Sequence, residues 1–154
     1  MRRLFGVVLA GAIVILPAFS QSASAQQAPA APQKFTLEGD MALWSVAIKA
    51  DKTADYEQVL AKLKEGLAKS EKPEAKQQLA GWKIIKNAMA QPDGSIVYVH
   101  VITVVKDADY SITNLVYEVV TDPMERLNFF NMYKGALKQA LFAIQGPLVS
   151  DFSK

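Results

Sequence analysis

The single histidine of this 154-residue chain, His100, is the first side chain that could do chemistry. A neutral imidazole can act as a base or as a ligand near neutral pH. Tyr98 precedes it by two residues, so on an extended strand both side chains share one face. Small side chains at Ser45 and Ala47, on another predicted strand, would leave room for a ligand opposite them. His100, Tyr98, Ser45 and Ala47 are therefore the predicted pocket.

The role expected of His100 is packing or ligand orientation rather than catalysis. It sits among valines, and a lone histidine on a strand is usually satisfied by a nearby hydroxyl or carbonyl group. A catalytic histidine needs a second group that fixes its tautomer, and neither predicted strand carries an acid. The sequence therefore assigns no catalytic residue. Haem ligation through His100 is an alternative that a single strand histidine supports weakly.

Other reactive groups are scarce in the chain. Asp107 and Asp109 are spaced as a carboxylate pair, but they directly precede a predicted helix near Ile112, which favours a capping role. The absence of cysteine excludes a thiol nucleophile and a Cys-ligated zinc site, and the single histidine excludes a two-histidine metal motif. The sequence has no Gly-rich phosphate loop and no G-x-S-x-G motif. We therefore expect no metal and no cofactor.

The first 25 residues have the layout of an export signal. Arg2 and Arg3 precede an apolar run over residues 4–19, and Ala23 and Ala25 form the A-x-A pattern of signal peptidase sites. We predict cleavage after Ala25 and a periplasmic or secreted protein, with the general secretory and twin-arginine routes both open. The alternative is an uncleaved anchor, although a membrane-spanning helix needs about 20 apolar residues.

Residues 26–34 are predicted to be an extended linker, and residues 35–154 a single α+β domain. Without Arg2 and Arg3, the 17 basic residues become 15, which equals the 15 acidic residues. A neutral domain has no electrostatic reason to bind nucleic acid, whose affinity rests on neutralising phosphates. It also lacks a polybasic patch for a membrane surface. Neither nucleic acid nor, after cleavage, a membrane is an expected partner.

Hydrophobic periodicity and turn signals give the elements that must position these residues. In chain order they are a strand over 41–50, a helix over 54–69 with Thr53 as its cap, a short helical turn after Pro73, strands over 82–87 and 96–105 around a turn at 91–95, a helix from about Ile112, a helix from Pro123, and a strand over 141–149. The β-branched content of residues 112–120 leaves a strand open as an alternative there. Alternation places Trp44, Val46 and Ile48 on one face of the first strand.

The helix that begins at Pro123 has the clearest start signal. Asp122 is a suitable cap, and proline is favoured at the first helical position. Its predicted apolar stripe consists of Leu127, Phe130, Tyr133 and Leu137. Pro147 should confine the last strand to a sheet edge or end its pairing early.

This order of elements predicts a ferredoxin-like α+β fold, an antiparallel sheet with helices on one face and the first and third strands in the centre. If the helices cover the face that carries Val97 and Val99, the face with Tyr98 and His100 is left open. So much exposed apolar surface needs a cover, and a second subunit is the usual one. The sequence therefore predicts a homodimer.

Four segments carry a resemblance to known proteins. They are Trp-Ser-Val-Ala-Ile-Lys at 44–49, Asp-Lys-Thr-Ala-Asp-Tyr-Glu at 51–57, Ala-Gly-Trp-Lys at 80–83 and Ala-Asp-Tyr-Ser at 108–111. Through them most of residues 41–154 resembles uncharacterised secreted bacterial proteins and is similar to the dimeric α/β-barrel superfamily, which includes antibiotic-biosynthesis-monooxygenase-like proteins. The resemblance implies a homodimer whose sheets face each other and leave a cavity in each subunit. It carries over no catalytic residue.

Two functional classes remain. The preferred one is an exported homodimer that binds a small apolar molecule or a partner without catalysis. The alternative is a cofactor-free oxidoreductase or related small-molecule enzyme that works in the barrel cavity. A roomy pocket around Tyr98 and His100 with a polar partner would favour the enzyme. Trp44 and Trp82 are expected to be core aromatics, because large aromatic side chains dominate small cores.

Overall fold

The structure is a computed structural model that describes residues 33–152; the predicted export signal and most of the predicted linker lie outside these residues. Within them the chain forms four strands and four α-helices, which confirms the α+β class. In chain order the elements are β1 (Met41–Ile48), a 3-10 turn (Ala50–Lys52), α1 (Thr53–Lys69), α2 (Pro73–Gly81), β2 (Trp82–Lys86), β3 (Ile96–Thr103), α3 (Ile112–Val119), α4 (Pro123–Ala136) and β4 (Leu137–Gly146).

The four strands form one antiparallel sheet in the order β2-β3-β1-β4. The register of the two central strands places Trp44 opposite His100 and Ser45 opposite Val99. Side chains of directly opposed residues share a face, so this register decides which residues can meet. The pairing of β4 with β1 shifts after Ser45, which bends the edge strand locally.

The helices lie on the face that carries Tyr98, His100 and Ile102, each of which is at most 2% exposed. The expectation that helices cover Val97 and Val99 is therefore wrong. The physical reason is size: the gap between a helix and a sheet must be filled at close packing, and tyrosine, histidine and tryptophan reach further than valine. Tyr56 of α1 fills this gap and is fully buried.

Two helix starts differ from the prediction. Thr53 is the first residue of α1 rather than its cap, and the cap position is held by Lys52 without a side-chain hydrogen bond. Ser111, not Asp107 or Asp109, caps α3, because its hydroxyl accepts from the Asn114 N–H. The strand alternative for this segment is wrong, since residues 112–119 are helical.

The segment from Asp122 onward starts as predicted and ends differently. The Asp122 carboxylate accepts from the Glu125 N–H at 2.8 Å, which confirms the cap. The predicted stripe is wrong at Leu127, which is 50% exposed, whereas Phe129 and Met132 pack against the core. β4 is the outer strand of the sheet; it begins earlier than predicted, at Leu137, and ends before Pro147, which has no N–H to donate.

Three apolar clusters hold the layers together. One joins the four helices, one closes the end of the sheet near Leu37 and Tyr110, and one packs Tyr56 against Val46 and Tyr98. The last cluster ties α1 to both central strands. Within residues 33–152, no helix combines the length and apolar character that crossing a membrane requires.

We predict that two glycines with the same backbone angle differ in importance. Gly39 and Gly94 both have φ of 80°, but a Cβ on Gly39 would lie 2.5 Å from the carbonyl of Gly146, whereas one on Gly94 meets nothing within 4 Å. Gly94→Ala should lower the free energy of unfolding by about 1–2 kcal/mol, the cost of the backbone angle alone. Gly39→Ala should lower the free energy of unfolding by clearly more, because its Cβ would also clash with the backbone of Gly146. Urea unfolding measures both, and equal costs would contradict the close approach of Gly39 to Gly146.

Candidate functional site

His100 lies at the centre of the interface between sheet and helices. It is fully buried on β3, with Trp44 of β1 opposite it on one side and Ile84 of β2 on the other. Its Nε2 is 2.8 Å from the Tyr56 hydroxyl of α1, and its Nδ1 is 3.0 Å from the Trp82 Nε1 of β2. Both ring nitrogens are therefore occupied by side chains of the protein.

The chemistry of the partners fixes the tautomer of His100. An indole N–H can only donate, so Nδ1 of His100 must be the acceptor for Trp82. The proton of the neutral imidazole then sits on Nε2 and is donated to the Tyr56 oxygen. The hydroxyl of Tyr56 thus accepts from His100 and keeps its own proton for another acceptor.

Burial keeps His100 neutral. Loss of solvation lowers the pKa of its imidazole to about 3. A second proton would also have to be placed on Nδ1, where it would face the indole N–H of Trp82. No carboxylate hydrogen-bonds to the ring among the described residues, so the oriented acid that a catalytic histidine needs does not contact it.

The structure separates the four residues that were predicted to line one pocket. His100 and Tyr98 face the helices, while Ser45 and Ala47 pair with Val99 and Val97 and face the other side of the sheet. The neighbour of His100 on β1 is Trp44 and not Ser45 or Ala47, because alternation puts the even-numbered residues of β1 on the helix side. The Ser45 hydroxyl is buried and has no hydrogen-bond partner within residues 33–152.

Trp44 lies between His100 and a cleft on the helix side of the sheet. Its indole stacks on the imidazole with ring centroids 4.6 Å apart and an interplanar angle of 24°. The ring of Trp82 meets the Trp44 indole edge-on, with ring centroids 5.4 Å apart. The ring of Phe35 is tilted against the same indole, with ring centroids 5.5 Å apart. Trp82 and Trp44 are thus packed aromatics, as expected, but Trp44 also borders a cleft.

This aromatic cleft lies on the helix side, between the β1–β4 half of the sheet and helices α3 and α4. It has a volume of about 520 Å³ and no charged residue in its lining. Its floor comes from the sheet and its walls from the N-terminal segment and the two helices. The residues that line it are Phe35, Trp44, Ser45, Val46, Tyr110, Ser111, Ile112, Thr113, Tyr133, Ala140, Leu141, Phe142 and Ala143, so Ser45 is the one residue of the predicted pocket that reaches it.

A second opening, the leucine groove, lies between α1, α2 and β2. It has a volume of about 500 Å³ and is lined by leucines together with Ala61, Trp82 and Ile84. Unlike the aromatic cleft, it has charged side chains in its lining, Glu57 and Lys64. In the part of the chain that the structure describes, no three His, Asp or Glu side chains come together as metal ligands.

Sequence reasoning missed the aromatic cleft because its walls come from distant segments. Tyr133 was placed on an apolar helix stripe, and Phe35 precedes the first predicted strand. The position of Asp109 could have indicated that the N-terminal segment lies beside the start of α3. Its carboxylate accepts from the N–H of Phe35 at 2.9 Å and from that of Ser111 at 2.8 Å, so it fastens the N-terminal segment beside the start of α3.

Comparison with known proteins gives no relative: no family model, no curated protein and no solved structure matches this chain. What the site can do therefore follows from its geometry. An uncharged, aromatic cleft beside a neutral buried histidine can bind a molecule, and its lining holds no ionised side chain that could act as acid or base.

We predict that His100 controls how stability depends on pH between about pH 6 and pH 5. It is the only histidine, and its folded pKa lies well below the ordinary value of 6.5. In this interval the unfolded chain binds more protons than the folded chain, so the free energy of unfolding falls as the pH is lowered. The expected slope approaches about 1.4 kcal/mol per pH unit.

Urea unfolding at a series of pH values tests this slope. His100→Gln keeps a side chain that can form hydrogen bonds but removes the titrating ring, so its stability should be nearly constant across the same interval. The variant should be less stable than the wild type by about 1–2 kcal/mol near pH 7, the range for disturbing one buried hydrogen bond. A wild-type chain without the slope would show that His100 is accessible to protons in the folded state.

Proposed function

We propose that this chain is an exported, homodimeric binding module of ferredoxin-like architecture, and that the aromatic cleft takes a small uncharged apolar molecule. The observation that carries the proposal is the cleft itself, about 520 Å³ in volume and lined by aromatic rings without a charged side chain. Binding pockets for small molecules are typically concave, largely apolar and of this size.

The strand order supports the ferredoxin-like architecture. In the antiparallel order β4-β1-β3-β2, α1 and α2 connect β1 to β2, while α3 and α4 connect β3 to β4. This order agrees with what a split βαβ unit repeated once would have, with an additional helix in each connection. A sheet of this kind has helices on one face only and leaves the other face to be covered.

The uncovered side of the sheet supports a homodimer. This open face carries Leu43, Ile85, Val97, Val99, Val101 and Ile144. Ile85 and Ile144 are 58% and 61% exposed. The open face is about eight residues long at ~3.3 Å per residue and four strands wide at ~4.8 Å spacing. Its area is therefore about 500 Å² per copy. Two copies would bury roughly 1,000 Å², near the lower size of specific interfaces.

Charge and shape favour binding over catalysis in the aromatic cleft. Its polar groups are hydroxyls and backbone atoms, which orient a ligand but do not exchange protons easily near neutral pH. Burial raises the pKa of Tyr133, so that hydroxyl remains protonated. His100 is separated from the cleft by the stacked ring of Trp44. Within residues 33–152, the hydrogen-bond partners of His100 are Tyr56 and Trp82 and not a carboxylate, which favours binding over the enzyme alternative.

We predict that the chain is a dimer at micromolar concentration and that the open face forms the contact. Light scattering should report about twice the monomer mass. Ile85→Lys should weaken dimerisation roughly tenfold or more, because two buried isoleucines are lost per dimer. Met89→Lys is the control, since Met89 is 75% exposed in the loop between β2 and β3. A strict wild-type monomer, or equal effects of the two variants, would contradict the dimer.

We predict that N-phenyl-1-naphthylamine, an uncharged fluorescent aromatic probe, binds in the aromatic cleft. Ala143→Phe places a ring on the cleft floor and should weaken binding at least about tenfold by taking up the space of the probe. Ala61→Phe makes the same change in the leucine groove and should leave binding unchanged. Fluorescence titration measures both. Loss of binding in Ala61→Phe instead would move the site to the leucine groove and contradict the proposal.

A further inference from the structure

Four of the five tyrosines in the chain lie around His100 and the aromatic cleft, and they use their hydroxyl protons differently. Tyr98 donates to the Glu57 carboxylate at 2.6 Å. Tyr110 donates to the Thr103 carbonyl at 3.5 Å and accepts from the N–H of Val105 at 2.8 Å. The hydroxyl groups of these two tyrosines are therefore committed to holding the fold.

Tyr56 is not committed in the same way. Its oxygen accepts the Nε2 proton of His100, because Trp82 fixes the tautomer of the imidazole. Its own proton meets no acceptor among residues 33–152, although Tyr56 is fully buried. Because Tyr56 is not among the residues that line the aromatic cleft, its hydroxyl belongs to the hydrogen-bonded group around His100 and does not face the cleft.

Tyr133 is the second uncommitted tyrosine. It lines the aromatic cleft, and its hydroxyl makes no hydrogen bond to any described residue. Its ring stacks on that of Tyr56 with centroids 6.2 Å apart and an angle of 20°. Burial, and after it the charge that Tyr133 would carry, raise the pKa of Tyr56. Both remain protonated and can donate near neutral pH.

We propose that the aromatic cleft selects molecules that carry a neutral hydrogen-bond-accepting oxygen, and that the hydroxyl of Tyr133 is its donor. This inference rests on the proposed binding function and names its ligand class: uncharged aromatic ketones, aldehydes and similar compounds. A carboxylate is disfavoured because the lining offers no positive side chain. Tyr133 meets the ligand at the cleft, and the ring of Tyr56, which stacks on that of Tyr133, supports it from behind. His100 is a positioning residue, because it fixes the hydroxyl of Tyr56 and with it the ring on which Tyr133 stacks.

Two probes of the same shape test the oxygen directly. 2-Acetylnaphthalene carries a C=O group where 2-isopropenylnaphthalene carries C=CH₂, so they differ only in the acceptor. Each is titrated against protein that holds N-phenyl-1-naphthylamine, and displacement is followed by fluorescence. We expect the ketone to bind about 3- to 10-fold more tightly, the ratio for one hydrogen bond.

The variants assign this preference to a hydroxyl. Tyr133→Phe should bring the ratio of the two affinities close to one while leaving the affinity of the hydrocarbon unchanged. Tyr117→Phe is the matched control and should keep the ratio, since Tyr117 lies on α3 outside the cleft lining. In Tyr56→Phe the ratio should also persist, because Tyr56 does not line the cleft.

The outcomes separate this inference from the proposed function. Equal displacement by the two probes on the wild-type protein would overturn the selection for oxygen and leave the apolar cleft as a binding site. A ketone preference that persists in Tyr133→Phe would overturn the assignment of that hydroxyl as the donor. If N-phenyl-1-naphthylamine itself does not bind, the proposed function fails before the comparison begins.

Discussion

The hydrogen bond from the indole of Trp82 to Nδ1 of His100 is the constraint on which the rest of the site depends. It joins β2 to β3 and forces the imidazole proton onto Nε2, from which Tyr56 of α1 accepts it. Trp44 of β1 closes the group by stacking on the ring. One neutral side chain therefore connects three strands and a helix, and its burial is tolerated because both nitrogens are satisfied.

The two faces of the sheet differ in side-chain size, with large aromatic residues on the helix side and valines on the other. Tyr56, Tyr98 and Trp44 fill the space under α1, while the valines of β3 are too short for that role and form the open face. At the β4 edge, nearly every side chain of the strand is exposed, because α3 and α4 cover this half of the sheet incompletely. The aromatic cleft is the space that this incomplete cover leaves.

The parts of the fold that sequence could predict are those specified locally. The periodicity of α1, the turn around Gly94 and the cap at Asp122 each depend on neighbouring residues, and they agree with the structure. The choice of the helix-covered face could not be predicted by alternation, because both faces of β3 are apolar. Side-chain size would have decided it. The cleft eluded prediction for another reason: its walls come from residues nearly 100 positions apart.

The most direct test of the central claim is the protonation state of His100 by NMR. Because the chain contains one histidine, nitrogen-15 labelling of histidine gives a single imidazole whose two nitrogens can be distinguished. The wild-type protein at neutral pH should show a proton on Nε2 only, with Nδ1 unprotonated as the acceptor of the Trp82 indole. A proton on Nδ1, or an average over both tautomers, would contradict the chain of hydrogen bonds from Trp82 to Tyr56.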